Sequence, residues 1–293
     1  MRMIVRLAGV VPMIVAGATP AAAETWRTAT ASDIFAPRPK PVTFADEGVT
    51  VTIAPEPPDA ESDVAIVVQF PGLAPYRVPT DEYRESIYGL SVGIGRLAPS
   101  DPAPTVLIGG YSGGAHCCAT LQAVSLVEGQ PVSTVLPRKD GAPVDGFPDD
   151  IDGDEVRDIR WQDDSLLYAF TSYAASWPVL RIYNLRGGEL VDVSRRPGFA
   201  SLYRDHARET LAECRAKQGG ENAGACAAYA YAMAIQGNPE EGVRTATELA
   251  TRPSWSPSRC AAEFDAELCA ERREYQGFES ALRQMMRENG YLP

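Results

Sequence analysis

The sequence predicts an α+β protein, in which a mostly antiparallel β domain (residues 40–196) precedes a disulfide-stapled helical module (residues 197–293). One observation is a series of short apolar or alternating runs, separated by Gly and Pro, through the first two thirds of the chain. Another is a change at Pro197-Gly198, after which apolar residues recur at helical spacing. A third is the presence of six cysteines, most of them in the helical part.

The chain begins with a segment typical of a secretory signal peptide, residues 1–23. Two arginines precede the apolar run Leu7 to Ala18, and Ala21-Ala22-Ala23 forms a small-residue cleavage site. The apolar run is too short to span a bilayer, and no later stretch is long enough. We therefore expect a periplasmic or secreted protein without membrane insertion after cleavage, in which residues 24–39 are a linker.

The net charge of −12 limits the kinds of partner. An acidic surface repels phosphate backbones and anionic lipid, so nucleic acid and membrane surfaces are not expected partners. A protein partner remains possible, and part of the acidity can offset a bound cation.

Strands are predicted where short apolar or alternating runs stop at turn residues. The runs before the acidic stretch at residue 150 are Val49 to Ile53, Asp63 to Phe70, Leu90 to Leu97, Thr105 to Ile108 and Ala119 to Thr134. Glu128-Gly129 interrupts the last of these and indicates a hairpin. The later runs are Asp158 to Trp161, Leu166 to Thr171, Val179 to Tyr183 and Leu190 to Val193.

A weak internal repeat relates two of these hairpins. Sliding residues 119–135 by 58 positions places Gly129 over Gly187, which lies in a second tight turn. Repeated sheets of this kind are typical of propeller blades. Two units are too few to close a propeller, so we expect a propeller-blade-like stack of sheets or a small sandwich.

Helical spacing predicts four helices after residue 197. They cover Phe199 to Cys214, Ala223 to Ile235, a third helix starting at Asn238-Pro239, and Tyr275 to Met286. Asn238 is expected to cap the third helix, with proline in its first turn. Residues 227–250 resemble a single tetratricopeptide-type hairpin. One such pair cannot form a peptide groove alone, and an ordinary packed helix pair is the alternative.

The six cysteines allow 15 disulfide pairings, and geometry narrows them. Cys214 and Cys226 flank a turn-forming stretch that can bring two helix ends together, so this pair is favoured. A continuous helix would hold Cys260 and Cys269 about 13 Å apart, beyond the reach of a disulfide. Either that helix breaks or these two cysteines have other partners.

The stretch His116-Cys117-Cys118 has three interpretations. The cysteines form a structural disulfide, either with each other or with distant partners. Alternatively the group binds a soft metal or carries redox chemistry, or the thiols are free. The sequence does not decide its role.

The acidic stretch at residues 150–158 predicts a site for a hard, oxygen-seeking cation. Carboxylates fall at alternate positions with a glycine between them, and a backbone carbonyl adds a further oxygen. The candidate ligands are Asp150, Asp152, Asp154, the carbonyl of Val156, and Asp158. An EF-hand is disfavoured, because Trp161 stands where that loop needs a bidentate glutamate. The alternative is a solvated acidic turn without metal.

This loop resembles the calcium loop of the FG-GAP/VCBS (integrin-α-like) repeats, whose pattern is Asp-x-Asp-Gly-Asp-Gly-x-x-Asp. Every ligand position is matched, and Phe147 and Ile159 fit the flanks. The resemblance implies one structural calcium ion between strands of a blade-like sheet. Glu155 departs from the pattern, in which glycine is usual. If this position needs a positive φ, the departure costs about 1–2 kcal/mol and weakens the site.

A second candidate site is Ser112 within Gly110-Tyr-Ser-Gly-Gly114, which resembles the nucleophile elbow of serine hydrolases. With His206 it would form an esterase. The elbow must enter a helix, however, whereas residues 119–135 alternate like strands, and His206 lies on the apolar stripe of a helix. The sequence therefore favours an exported calcium-binding protein of structural or partner-binding role over an enzyme.

Overall fold

A computed structural model describes residues 25–30, 40–56, 64–79, 89–111, 118–140, 146–216, 221–251, 258–260, 272–274 and 277–293. The predicted signal peptide lies outside these residues. The described residues confirm the α+β class, with antiparallel sheets followed by helices and a disulfide in the helical part. Among them, no helix is long and apolar enough to cross a membrane.

The strands form four antiparallel sheets within the described ranges. The first sheet contains β2 (Val42–Asp46), β3 (Val49–Pro55), β4 (Val64–Gln69) and β5 (Tyr76–Val78). The second, with strand order β1-β6-β7-β8-β9, contains β1 (Thr25–Thr30), β6 (Gly89–Gly95), β7 (Thr105–Tyr111), β8 (Ala119–Val127) and β9 (Gln130–Val135). The third contains β10 (Ile159–Asp163), β11 (Val179–Arg186) and β12 (Glu189–Asp192). A short ribbon pairs β13 (Ser258–Cys260) with β14 (Arg272–Glu274).

The five-stranded sheet is covered on both faces. Successive residues of β7 point into two different cores. Ile108 packs against the four-stranded sheet, and Leu107 packs with residues of the three-stranded sheet. Both interfaces are apolar, and burial of this apolar surface holds the layers together. The expected sandwich is therefore present, with a third sheet stacked on it.

The helical part contains α1 (Ala200–Ala216), α2 (Ala223–Ile235), α3 (Pro239–Leu249) and α4 (Phe278–Glu288). α2 is apolar on all sides and buried along almost its whole length, as expected of a central helix. The largest core unites these helices with Leu166, Val179 and Ile182 of the third sheet region. The helices therefore continue the stack of sheets.

Tight two-residue turns close one hairpin in each of the three larger sheets. Their residues have positive φ at both positions, the type I′ geometry that matches strand twist: Glu47-Gly48, Glu128-Gly129 and Gly187-Gly188. Val127 pairs with Gln130, and Arg186 pairs with Glu189. The equivalent turns are thus 59 residues apart, one more than the predicted repeat.

One predicted strand is wrong. Residues 166–171 form turns instead, and Tyr168 has a φ of +57°. The buried apolar residues of this stretch are Leu166, Ala169 and Phe170. Their spacing is that of a helical turn, so they reach the core of the helical part from one side of the chain. A short apolar run does not distinguish this arrangement from a strand.

Two predictions on the helical part have different outcomes. The Cys214–Cys226 disulfide is confirmed, with Cα atoms 4.7 Å apart and both cysteines fully buried. Asn238 occupies the predicted N-cap position of α3 with proline in the first turn, but its side chain makes no capping bond and donates instead to the carbonyl of Gln236 at 3.3 Å. Cys260 ends strand β13, so it does not lie in a helix.

Candidate metal centre

The acidic loop precedes β10 and is closed at its base. The N–H of Asp158 donates to the carbonyl of Asp149 at 2.7 Å in an isolated antiparallel bridge. The N–H of Arg157 donates to the carbonyl of Leu97, just after β6, at 2.6 Å. The two ends of the loop are therefore fixed to the central sheets, which places the loop at one edge of the stack.

The loop backbone folds around its own carboxylates. Asp150 Oδ1 accepts from the N–H of Gly153 at 2.8 Å, and Asp150 Oδ2 accepts from the N–H of Glu155 at 3.0 Å. Asp158 Oδ2 accepts from the N–H of Ile151 at 2.8 Å. Both Gly153 and Glu155 have positive φ, +80° and +67°. The residue that departs from the calcium-loop pattern thus occupies a conformation that favours glycine.

Three of the four predicted carboxylates converge. Oxygen atoms of Asp150, Asp152 and Asp158 all lie within 4.8 Å of one another. Asp158 is buried, with 1% of its surface exposed. Asp152 Oδ1 is also buried and has no hydrogen-bond partner among the described residues. A buried carboxylate oxygen without a hydrogen-bond partner is energetically costly.

The electrostatics of the loop reflect this crowding. The pKa of Asp152 is raised, first by burial and then by the carboxylates of Asp154, Asp158 and Asp150. Like charges this close disfavour ionisation of all members together. A bound cation would remove that repulsion.

The fourth carboxylate points elsewhere. Asp154 Oδ2 lies 3.3 Å from Arg196 Nη1 and 4.0 Å from Arg186 Nη2. Asp154 Oδ1 accepts from the N–H of Val156 at 2.9 Å. Asp154 is therefore the predicted carboxylate ligand that does not join the three converging ones. Val156 is half-buried and adjoins Arg157, which ties the loop to the central sheet.

Asn184 and Arg196 support the loop, and the sequence analysis did not identify either. Asn184 is fully buried, and its Nδ2 donates to Asp158 Oδ1 at 2.7 Å. Arg196 Nη1 donates to Asn184 Oδ1 at 3.1 Å. An asparagine inside the apolar strand Val179–Arg186 was the available signal, since a buried amide must find hydrogen-bond partners.

The loop also contacts the start of the helical part. A Cβ atom at Gly198 would lie 2.5 Å from Asp152 Cβ, so only glycine fits against this side chain. Ile151 packs against the core shared by the third sheet and the helices. The acidic loop is thus held between sheet and helices. On its outer side lies an open polar depression of about 610 Å³, lined by Asp149, Asp150, Ile151, Glu155, Arg157 and Arg160.

The alternative hydrolase site is only half described. Ser112 lies outside the described residues, as do His116 and Cys117. His206 is half-buried in α1, and burial lowers its pKa. Its Nε2 has no hydrogen-bond partner among the residues that the structure describes. Cys118 is buried and disulfide-bonded, so its thiol is not free.

Comparisons with known proteins give relatives for much of the chain. Residues 203–290 match the sequence family described as the sll0997 C-terminal domain. Over 199 residues the chain is 32% identical to "Probable thylakoid lumen protein sll0997" of Synechocystis, covering 66% of this chain and 58% of that protein. Over 198 residues it is 30% identical to "Uncharacterized protein y4bJ" of Sinorhizobium fredii, covering 64% of this chain and 30% of that protein. No solved structure matches the chain.

Proposed function

We propose that this is an exported protein whose acidic loop binds one structural calcium ion, and that it acts by binding or by structural support. The observation that carries the proposal is the convergence of three carboxylates on a point where Asp152 Oδ1 is buried and unpaired. Calcium takes 6–8 oxygen ligands with flexible geometry. Carboxylate oxygens without nitrogen or sulfur donors fit this preference.

The oxygen ligands that the loop offers fit a calcium ion. Asp150, Asp152 and Asp158 would hold it, and Asp154 with the carbonyl of Val156 would complete the set that the FG-GAP/VCBS resemblance implies. A bound divalent cation would offset the repulsion among these carboxylates. Because the loop lies between the third sheet and Gly198, we expect calcium to stabilise the junction of sheet and helices.

Export is supported by chemistry as well as by similarity. The Cys214–Cys226 disulfide is typical of an oxidising compartment outside the cytosol. The Synechocystis relative is described as a probable thylakoid lumen protein, which is consistent with an exported location. The periplasm or the cell exterior is the corresponding place for a chain with the predicted signal segment.

A protein is the partner that we propose, if the role is binding. The net charge of −12 disfavours nucleic acid and anionic membranes. The resemblance of α2 and α3 to a tetratricopeptide-type hairpin also remains a proposal, and it too would concern a protein partner. The esterase alternative needs Ser112 near His206, and we propose instead that neither residue is catalytic.

Thermal unfolding of the purified protein in millimolar calcium and in excess chelator tests the calcium site. At 100 times its dissociation constant, a ligand stabilises by about 2.7 kcal/mol, which corresponds to a shift of roughly 5–10 °C in a domain of this size. Asp152→Asn should abolish the shift, because it removes a charged ligand while keeping the side-chain shape. Asp205→Asn removes an exposed carboxylate of α1 and should leave the shift intact. An equal melting temperature in calcium and chelator would exclude the site.

A further inference from the structure

Arg196 lies beside the acidic loop and contacts one of its carboxylates. Its guanidinium Nη1 lies 3.3 Å from Asp154 Oδ2 and donates to Asn184 Oδ1 at 3.1 Å. About a third of the side chain is exposed, with 34% for Arg196 and 37% for Asp154, so the pair is only partly screened by water. The guanidinium therefore neutralises a loop carboxylate from outside the loop.

The carboxylate that Arg196 neutralises is also the one absent from the converging group. Asp154 holds the middle ligand position of the predicted calcium loop, yet only Asp150, Asp152 and Asp158 converge within 4.8 Å. One carboxylate oxygen cannot serve the guanidinium fully and a central cation fully at the same time. A bound cation and the Arg196 guanidinium would therefore compete for Asp154.

Arg196 is connected to the remainder of the site through a second route. Asn184, whose Oδ1 accepts from Arg196, donates with Nδ2 to Asp158 Oδ1 at 2.7 Å. Two residues after Arg196, Gly198 packs directly against Asp152. Phe199 follows and is fully buried in the helical core. A movement of Arg196 would therefore displace the first residues of the helical part.

We propose that Arg196 is a built-in competitor of calcium, which holds Asp154 in the metal-free protein and must release it when the ion binds. The inference rests on the proposed calcium site and adds its regulation. Arg196 lowers the affinity of the loop and couples its occupancy to the segment Arg196–Phe199. It also protects the metal-free loop from the repulsion of its own carboxylates.

Isothermal titration with calcium measures the competition. Arg196→Gln removes the charge and should bind calcium about two- to fivefold more tightly, the range expected for a partly exposed ion pair. Arg196→Lys keeps the charge and should bind much like the wild type. Arg195→Gln is the matched control, since it removes one positive charge from the neighbouring residue, whose guanidinium donates to the carbonyl of Gly290 at 3.0 Å, and it should change affinity by less than twofold.

A double-mutant cycle excludes a general effect of charge or fold. In the Asp154→Asn background, Arg196→Gln should no longer change the affinity, because the contested carboxylate is absent. Circular dichroism of each metal-free variant checks that it is folded. Equal gains from Arg196→Gln and Arg195→Gln, or a gain that persists in Asp154→Asn, would overturn the inference.

The outcomes separate this inference from the calcium site itself. If the wild type binds calcium and Arg196→Gln binds no more tightly, the competition is refuted and the site stands. If only Arg196→Gln binds, the competition is supported, whereas a calcium ion held by the native protein is refuted. If neither protein binds, both proposals fail.

Discussion

Asn222 joins the ends of three helical segments, and we predict that the helical part depends on it. Its Nδ2 donates to the carbonyl of Cys214 at 2.6 Å and to that of Leu249 at 3.0 Å. Its Oδ1 accepts from the N–H of Thr251 at 2.9 Å and from the Thr251 hydroxyl at 2.5 Å. The side chain is 95% buried and fully hydrogen-bonded, with an exposure of 5%.

The expected cost of Asn222→Ala follows from the groups that lose a partner. The carbonyl of Cys214 belongs to a fully buried residue, so its loss costs the desolvation penalty of about 1–3 kcal/mol. Leu249 and Thr251 are half-buried, and water replaces part of their bonding. We expect a loss of about 3 kcal/mol in the free energy of unfolding, larger than that of most single substitutions.

Urea unfolding followed by tryptophan fluorescence measures this loss. Asn238→Ala is the matched control, because it removes an asparagine from the same module that makes one exposed bond of 3.3 Å. It should cost less than about 0.5 kcal/mol. If both variants unfold at the same urea concentration as the wild type, the hydrogen bonds of Asn222 do not hold these helices together, and the reasoning fails.

Three further predictions concern the loop and its surroundings. Glu155→Gly removes the backbone strain of a side chain at a φ of +67°. It should raise the melting temperature in chelator by the equivalent of about 0.5–1 kcal/mol. A lower melting temperature would mean that the glutamate side chain stabilises the loop by more than the strain costs. Burial raises the pKa of Asp164 to about 6, so the folded protein holds this proton more tightly than the unfolded chain. The stability that Asp164 contributes is therefore present below about pH 4 and is lost as the pH rises to about 6. Urea unfolding at pH 4 and pH 7 should show that Asp164→Asn reduces this loss of stability by about 1–2 kcal/mol. The same change in stability between the two pH values in the wild type and the variant would contradict this. Ser112→Ala should leave any hydrolysis of p-nitrophenyl esters unchanged, whereas a large drop would establish the esterase.

Much of the fold could be predicted because local signals and burial agree. Val64–Gln69 is an apolar run that stops at Pro71-Gly72, and the helix Ala223–Ile235 has the bounds that its composition indicates. β2 (Val42–Asp46) was not identified, since Pro41 and the short length concealed its alternation. The strand predicted over residues 166–171 is wrong for a physical reason. Packing against the helices, rather than the local run of apolar residues, determines the conformation of this segment.

The candidate site could also be predicted only in part from the sequence. The spacing of the aspartates indicates convergence, and Asp150, Asp152 and Asp158 do converge. The spacing contains no information about Arg196, which lies 42 positions from Asp154 in the chain and reaches it only through the tertiary fold. The convergence of carboxylates can thus be inferred from a short motif, whereas a charged group that reaches them from a distant segment cannot.

The burial of the central sheet on both faces has a consequence for strand register. In a strand with one wet face, a slip of one residue exposes apolar side chains and is penalised at once. In β7 a slip would exchange Leu107 and Ile108 between two apolar cores, so burial alone discriminates weakly. In the same sheet, the alignment of β8 with β9 is fixed by the Glu128-Gly129 turn and by the buried amide of Gln122, whose Nε2 donates to Ser133 Oγ at 2.5 Å. For this pair of strands, a turn and one polar contact, rather than the many apolar residues, select the alignment.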